Sequence, residues 1–136
     1  MPGVNDWIAK AISDLKSSKK LIKDDDETLD SAAYFTQQSA EKALKGYLVF
    51  KGQPIPKTHD LEKLVTDCIK YDATFSQLFD NAEALSPYAT YTRYPDDRFS
   101  IDREEVLGAI KHAEKILRFV KDNLDATKIS PQLKLF

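Results

Sequence analysis

The chain predicts an all-α fold, an antiparallel up-and-down helical bundle of four main helices plus a short extra helix. Three observations lead there. Apolar residues recur at intervals of three and four over long stretches, the period of a helix with one buried face. Only 4 Gly and 6 Pro interrupt 136 residues, so few positions break such helices. No segment shows the apolar–polar alternation of a half-buried strand.

The first helix is expected over about Asp6 to Lys23, with Asn5 as N-cap and Ile8, Ile12, Leu15 and Ile22 as its buried stripe. Lys16, Lys19, Lys20 and Lys23 crowd its second half, where cations suit the helix dipole. Asp24-Asp25-Asp26-Glu27 reads as a solvated loop; EF-hand spacing and its glycine are absent, so no metal is expected there. A second helix spans about Ser31 to Lys51, with Asp30 as N-cap and Ala40, Ala43, Leu44, Tyr47 and Leu48 inward. Gly52 ends it by tolerating positive φ, and Gln53-Pro54-Ile55-Pro56 must run extended. A third starts near Thr58 or Asp60 and reaches Ile69 or Lys70. A fourth covers about Thr74 to Leu85. The fifth opens at Asp102 with Glu105 completing a capping box, carries Val106, Ile110, Ala113, Leu117 and Val120, and ends near Leu124. Residues 1–125 therefore form one helical domain and 126–136 a C-terminal tail.

A net charge of −2 argues against sequence-independent nucleic-acid binding over the whole surface, but leaves room for a local basic cleft. The single Cys68 lies on an apolar helical face and reads as a small buried hydrophobe. There is no CxxC and no His–Cys cluster, so neither a zinc site nor another cofactor is expected. Met1 to Lys10 holds no long apolar run, and no stretch reaches membrane-spanning length; the cytoplasm is the expected compartment, without membrane attachment.

Chemistry concentrates in three places. On the second helix Gln38, Glu41, Lys42 and Lys45 follow i, i+3, i+4, i+7 and share one face. Lys offers a point charge to phosphate, Gln both donates and accepts, and Glu orients Lys; an ordinary solvated Glu–Lys pair gives the same spacing. His59 precedes Asp60 at a helix start, a place for an acid, a base or a ligand contact, although the residues alone favour a capping or packing role for a surface imidazole. Arg93 stands between Tyr91 and Tyr94 ahead of Pro95, a planar donor fork beside rings that could stack on a base; core tyrosines with an Arg93–Asp96 or Asp97 pair fit as well. His112 reads as a flank residue.

Gln37-Gln38-Ser39-Ala40-Glu41-Lys42-Ala43-Leu44-Lys45, Thr58-His59-Asp60-Leu61 and Tyr91-Thr92-Arg93-Tyr94-Pro95, in this order and separation, resemble the HEPN domain family of small prokaryotic helical proteins. The resemblance covers roughly Asp6 to Leu124. It implies a helical bundle, a homodimer whose clefts meet near the two-fold axis, and pairing with a minimal nucleotidyltransferase, often as a toxin–antitoxin system. It also implies nucleotide or RNA-phosphate binding by Gln38, Glu41, Lys42, Lys45, His59, Tyr91 and Arg93. Some HEPN proteins are metal-independent ribonucleases with an Arg-x4-6-His motif. Here eight residues separate Arg103 from His112, and no His follows Arg118, so no enzyme is expected from that motif. Phe35 stands where similar sequences often carry His. Two alternatives stay open: a ribonuclease toxin using His59 and Arg93, and a module serving dimerisation alone.

The tail resembles the pentapeptide by which bacterial proteins dock on the DNA sliding clamp. Gln132 would set register and Leu133, Leu135 and Phe136 would anchor in an apolar pocket. Folding of this tail back onto the bundle, or pairing in a dimer, is the competing reading.

Overall fold

The computed structural model describes residues 2–24, 26–90 and 100–124. Among them the chain forms helices α1 (Val4–Asp24), α2 (Leu29–Phe50), α3 (Leu61–Ile69), α4 (Phe79–Leu85) and α5 (Arg103–Asp122), with 3₁₀ turns at Asp26–Thr28, Ala73–Leu78 and Ser86–Ala89. No strand occurs among the described residues, so the all-α bundle stands as expected.

The bundle is built around α2, which packs on α1, α3 and α5. Fourteen of its 22 residues are buried, too many for a one-sided amphipathic helix. Small residues let α1 approach it closely. Ser39 Oγ donates to the Ala11 carbonyl and Ser18 Oγ to the Ala32 carbonyl, each at 2.7 Å, so the two helices run antiparallel. At Gly46 a Cβ would sit 3.1 Å from Trp7 Cβ and 3.2 Å from Ile8 Cδ1. The first turn of α1 therefore rests on the bare backbone of α2. The expected stripes of α1, α2 and α5 all lie in the core. Tyr47, Phe75 and Phe119 form an aromatic run across it, with ring centroids 4.3 and 4.8 Å apart.

Several helix ends differ from expectation. Helix α1 begins at Val4, so Asn5 lies inside it; the Asp6 carboxylate accepts the Gly3 N–H instead, at 2.9 Å. Helix α2 begins before Asp30, and its N-cap position, Thr28, makes no capping bond; the Thr28 hydroxyl donates back to the Leu21 carbonyl. The expected fourth helix is split. Phe75, Leu78 and Phe79 suit the tighter 3₁₀ period as well as the α period, and only Phe79–Leu85 is α-helical. The capping box of α5 is half made. Asp102 accepts from the Glu105 N–H at 2.8 Å, but the Glu105 carboxylate turns away to accept from the Tyr88 hydroxyl at 2.7 Å. Burial first, and then Glu105, push that phenol above its usual range. The acidic stretch is not wholly solvated loop either. Asp26 starts a 3₁₀ turn and pairs with Arg103 at 3.1 Å, while Arg103 also donates to the Ile22 carbonyl and ties α5 to the end of α1. Gly52 has φ +72°, as the end of α2 requires. Asp60 caps α3 by accepting from Glu62 N and Lys63 N. No helix among the described residues is long and apolar enough to cross a membrane.

Candidate functional site

A continuous polar network crosses the middle of α2. Its i, i+4 spacing stacks Gln38 under Lys42, and Gln37 under Glu41 under Lys45, on the side that faces α1 and the entrance of α3. Lys42 Nζ donates to Asp14 Oδ2 on α1 at 2.7 Å and to Gln38 Oε1 at 3.0 Å. Gln38 Nε2 donates to Gln37 Oε1 at 2.7 Å, and Gln37 Nε2 donates to the His59 carbonyl at 3.1 Å and to Glu41 Oε1 at 3.4 Å. The Glu41 carboxylate is divided: Oε2 takes Lys45 Nζ at 3.1 Å and Oε1 takes His59 Nδ1 at 2.9 Å.

Burial separates the roles of these groups. The Glu41 and Lys45 side chains are only 6% and 8% exposed, that of Asp14 2%, whereas the His59 side chain is 73% exposed. Lys45 is thus a buried counter-ion rather than an open phosphate contact, and Lys42 is held by Asp14. Lys10, 3.4 Å from Asp14, adds a second cation there. His59 stands at the mouth. Its backbone is gripped from both sides: Gln37 holds its carbonyl, and next to it Thr58 Oγ1 accepts the Asp60 N–H at 3.1 Å while Asp60 caps α3. An ionised carboxylate only accepts, so the imidazole donates from Nδ1 and leaves Nε2 for a ligand or for water. A shallow hollow of about 210 Å³, lined by Pro2, Asp6, Trp7, Lys10 and Lys42, adjoins the Lys42 end.

Of the sequence-predicted residues, the structure brings together Gln38, Glu41, Lys42, Lys45 and His59. Tyr91 and Arg93, and Gln132, Leu133, Leu135 and Phe136 of the tail, lie outside the described residues. Sequence reasoning missed Asp14 and Gln37. The signal for Asp14 was present: a carboxylate set between Ala11, Leu15 and Ser18 on a buried stripe needs a cation. Gln37 differs from Gln38 only in facing the interior. His112 serves packing, its Nδ1 accepting from Asn81 Nδ2 at 2.9 Å and joining α4 to α5. Cys68 is fully buried beside the Leu44 carbonyl. Among the described residues no three His, Cys, Asp or Glu side chains gather as metal ligands would.

The profile of the HEPN domain matches residues 4–123. Two solved structures are similar over nearly the whole chain. TT1696 from Thermus thermophilus is 30% identical with a TM-score of 0.80, covering 91% of this chain and all of its own. The archaeal HEPN homologue ST0689 is 27% identical with a TM-score of 0.74, covering 92% of this chain and all of its own. No curated protein matches the sequence.

Proposed function

The chain belongs to the HEPN domain family, and from that premise we propose that it binds a nucleotide or an RNA phosphate at the mouth formed by His59. Gln38 and Lys42, joined to His59 through Gln37, are its proposed companions in that binding, and Tyr91 and Arg93 are added on the strength of their sequence alone. The observation that carries the reading is the 2.9 Å contact from a buried carboxylate to an exposed imidazole. A buried ion pair such as Glu41–Lys45 contributes little net stability, because desolvation offsets the Coulomb attraction. A pair of this kind that also aims an exposed ring is better explained by ligand recognition than by core filling. In this reading the protein is a homodimer and a regulatory or toxin–antitoxin partner of a minimal nucleotidyltransferase. The tail, if it docks on a sliding clamp, adds a second partner; deletion of residues 132–136 then abolishes clamp pull-down, and undiminished recovery excludes it.

Titration with ATP and GTP tests the site. Saturable binding of either nucleotide is expected for the wild type and is lost in His59→Ala and in Arg93→Ala. No binding by the wild type, or equal binding by both variants, removes the ligand role.

A second reading draws on the same His59–Glu41 contact. A carboxylate-oriented imidazole is a suitable base for an RNA 2′-hydroxyl, provided a cation meets the phosphate. Arg103 and His112 do not supply that chemistry, since one is engaged with Ile22 and Asp26 and the other with Asn81. Metal-free RNA cleavage that His59→Ala abolishes supports this reading; intact RNA rejects it.

A further inference from the structure

A hollow of about 440 Å³ opens on the C-terminal half of α5 and shares no lining residue with the α2 network. Lys111, Glu114, Lys115, Arg118, Phe119 and Asp122 line it. Their spacing puts all six on one face of the helix. Lys111, Lys115 and Arg118 are exposed. Glu114 is drawn to cations on both sides, 3.4 Å from Lys19 of α1 and 3.8 Å from Arg118. Counting Lys19, four cations meet two carboxylates, an excess of two positive charges on a chain whose net charge is −2. Phe119 is half-buried at this face, its ring fixed edge-to-face on Phe75 at an interplanar angle of 85°.

We propose that this face binds single-stranded nucleic acid, with phosphates on Lys111, Lys115 and Arg118 and a base against Phe119. Lys111 and Lys115 lie one turn apart, ~6 Å along the helix axis, a step that suits successive phosphates of an extended strand. An oriented aromatic side chain among cations is what a single strand uses, because it offers both charge and unstacked bases. A duplex hides its bases, and an acidic peptide has no need of the ring. The site is separate from the His59 mouth, and each stands or falls without the other.

Fluorescence anisotropy with a short labelled oligouridylate tests it. The wild type is expected to bind with an affinity that falls as salt rises. Lys115→Glu/Arg118→Glu, both at exposed positions, should keep the native circular dichroism and weaken binding by about tenfold or more. His59→Ala should bind oligouridylate as the wild type does. Phe119→Leu should weaken oligouridylate binding and leave inorganic polyphosphate binding unchanged. Absence of salt-dependent binding by the wild type, or equal affinity in the charge-reversed variant, overturns the proposal. Equal losses of oligouridylate and polyphosphate in Phe119→Leu overturn the base contact.

Discussion

The two oxygens of Glu41 divide between a buried ammonium and an exposed imidazole. Glu41→Gln strands the Lys45 ammonium in the interior and should cost about 3 kcal/mol or more in urea denaturation. Lys45→Met should cost less, because Glu41 keeps His59 and Gln37 as partners. His59→Ala, at an exposed side chain, should cost at most about 1 kcal/mol. The reverse order would mean that the network is not organised around the carboxylate. Gly46→Ala sets a methyl 3.1 Å from Trp7 Cβ, and overpacking of that sort typically costs about 1–3 kcal/mol. Cys68 carries a pH prediction. Burial, with Asp67 adding to it, pushes the thiol up from 9.0 to about 12. The unfolded chain releases that proton first, so the contribution of Cys68 is intact below pH 9.0 and is lost as pH rises toward about 12. Tyr47, raised from 10.0 to about 12, acts in the same sense. Lys121, lowered from 10.5 to about 8, acts oppositely, since the folded state deprotonates first and gains over that window. Urea midpoints should fall above pH 10.0, where Tyr47 joins Cys68 and the two outweigh Lys121, and Cys68→Ala should flatten part of that fall; an unchanged slope would contradict the assignment.

Among the elements, the long helices were legible because their apolar stripes meet a single core, and each expected inward residue of α1, α2 and α5 is buried. Caps were legible only where the side chain had no better partner. Asp102 caps as expected, and Asp60 caps α3 where only a helix start was expected, while Glu105 leaves its capping role for the Tyr88 hydroxyl, a partner supplied by tertiary structure. The split of the fourth helix was not legible, since Phe75, Leu78 and Phe79 satisfy both helical periods. The site was half legible. Spacing put Gln38, Glu41, Lys42 and Lys45 on one face, but spacing does not distinguish a solvated face from one covered by Asp14 and the α3 entrance. The two working caps should differ in effect. Asp102→Ala and Asp60→Ala should each cost about 1 kcal/mol. Only Asp60→Ala should weaken ligand binding, because it loosens the turn that holds His59. Equal binding losses in both variants would contradict this.

Over the whole molecule, one central helix supports two surfaces of different character. Beside the α3 entrance, α2 aims an imidazole outward from a charge-balanced interior. On α5, a cationic rim surrounds a half-buried phenylalanine. A modest net negative charge hides both, because opposite charges elsewhere on the chain cancel in the sum. Helix α2 lies in the middle of the bundle, and its polar insert sets which side chain, His59, stands exposed. NMR titration of the His59 ring with ATP or GTP reads that exposure. The His59 Cε1–H resonance should shift saturably with ligand in the wild type, and the shift should shrink in Glu41→Gln, whose fold is checked in parallel. Ligand binding that leaves the His59 resonance unmoved would contradict the assignment of this imidazole as the ligand-facing group.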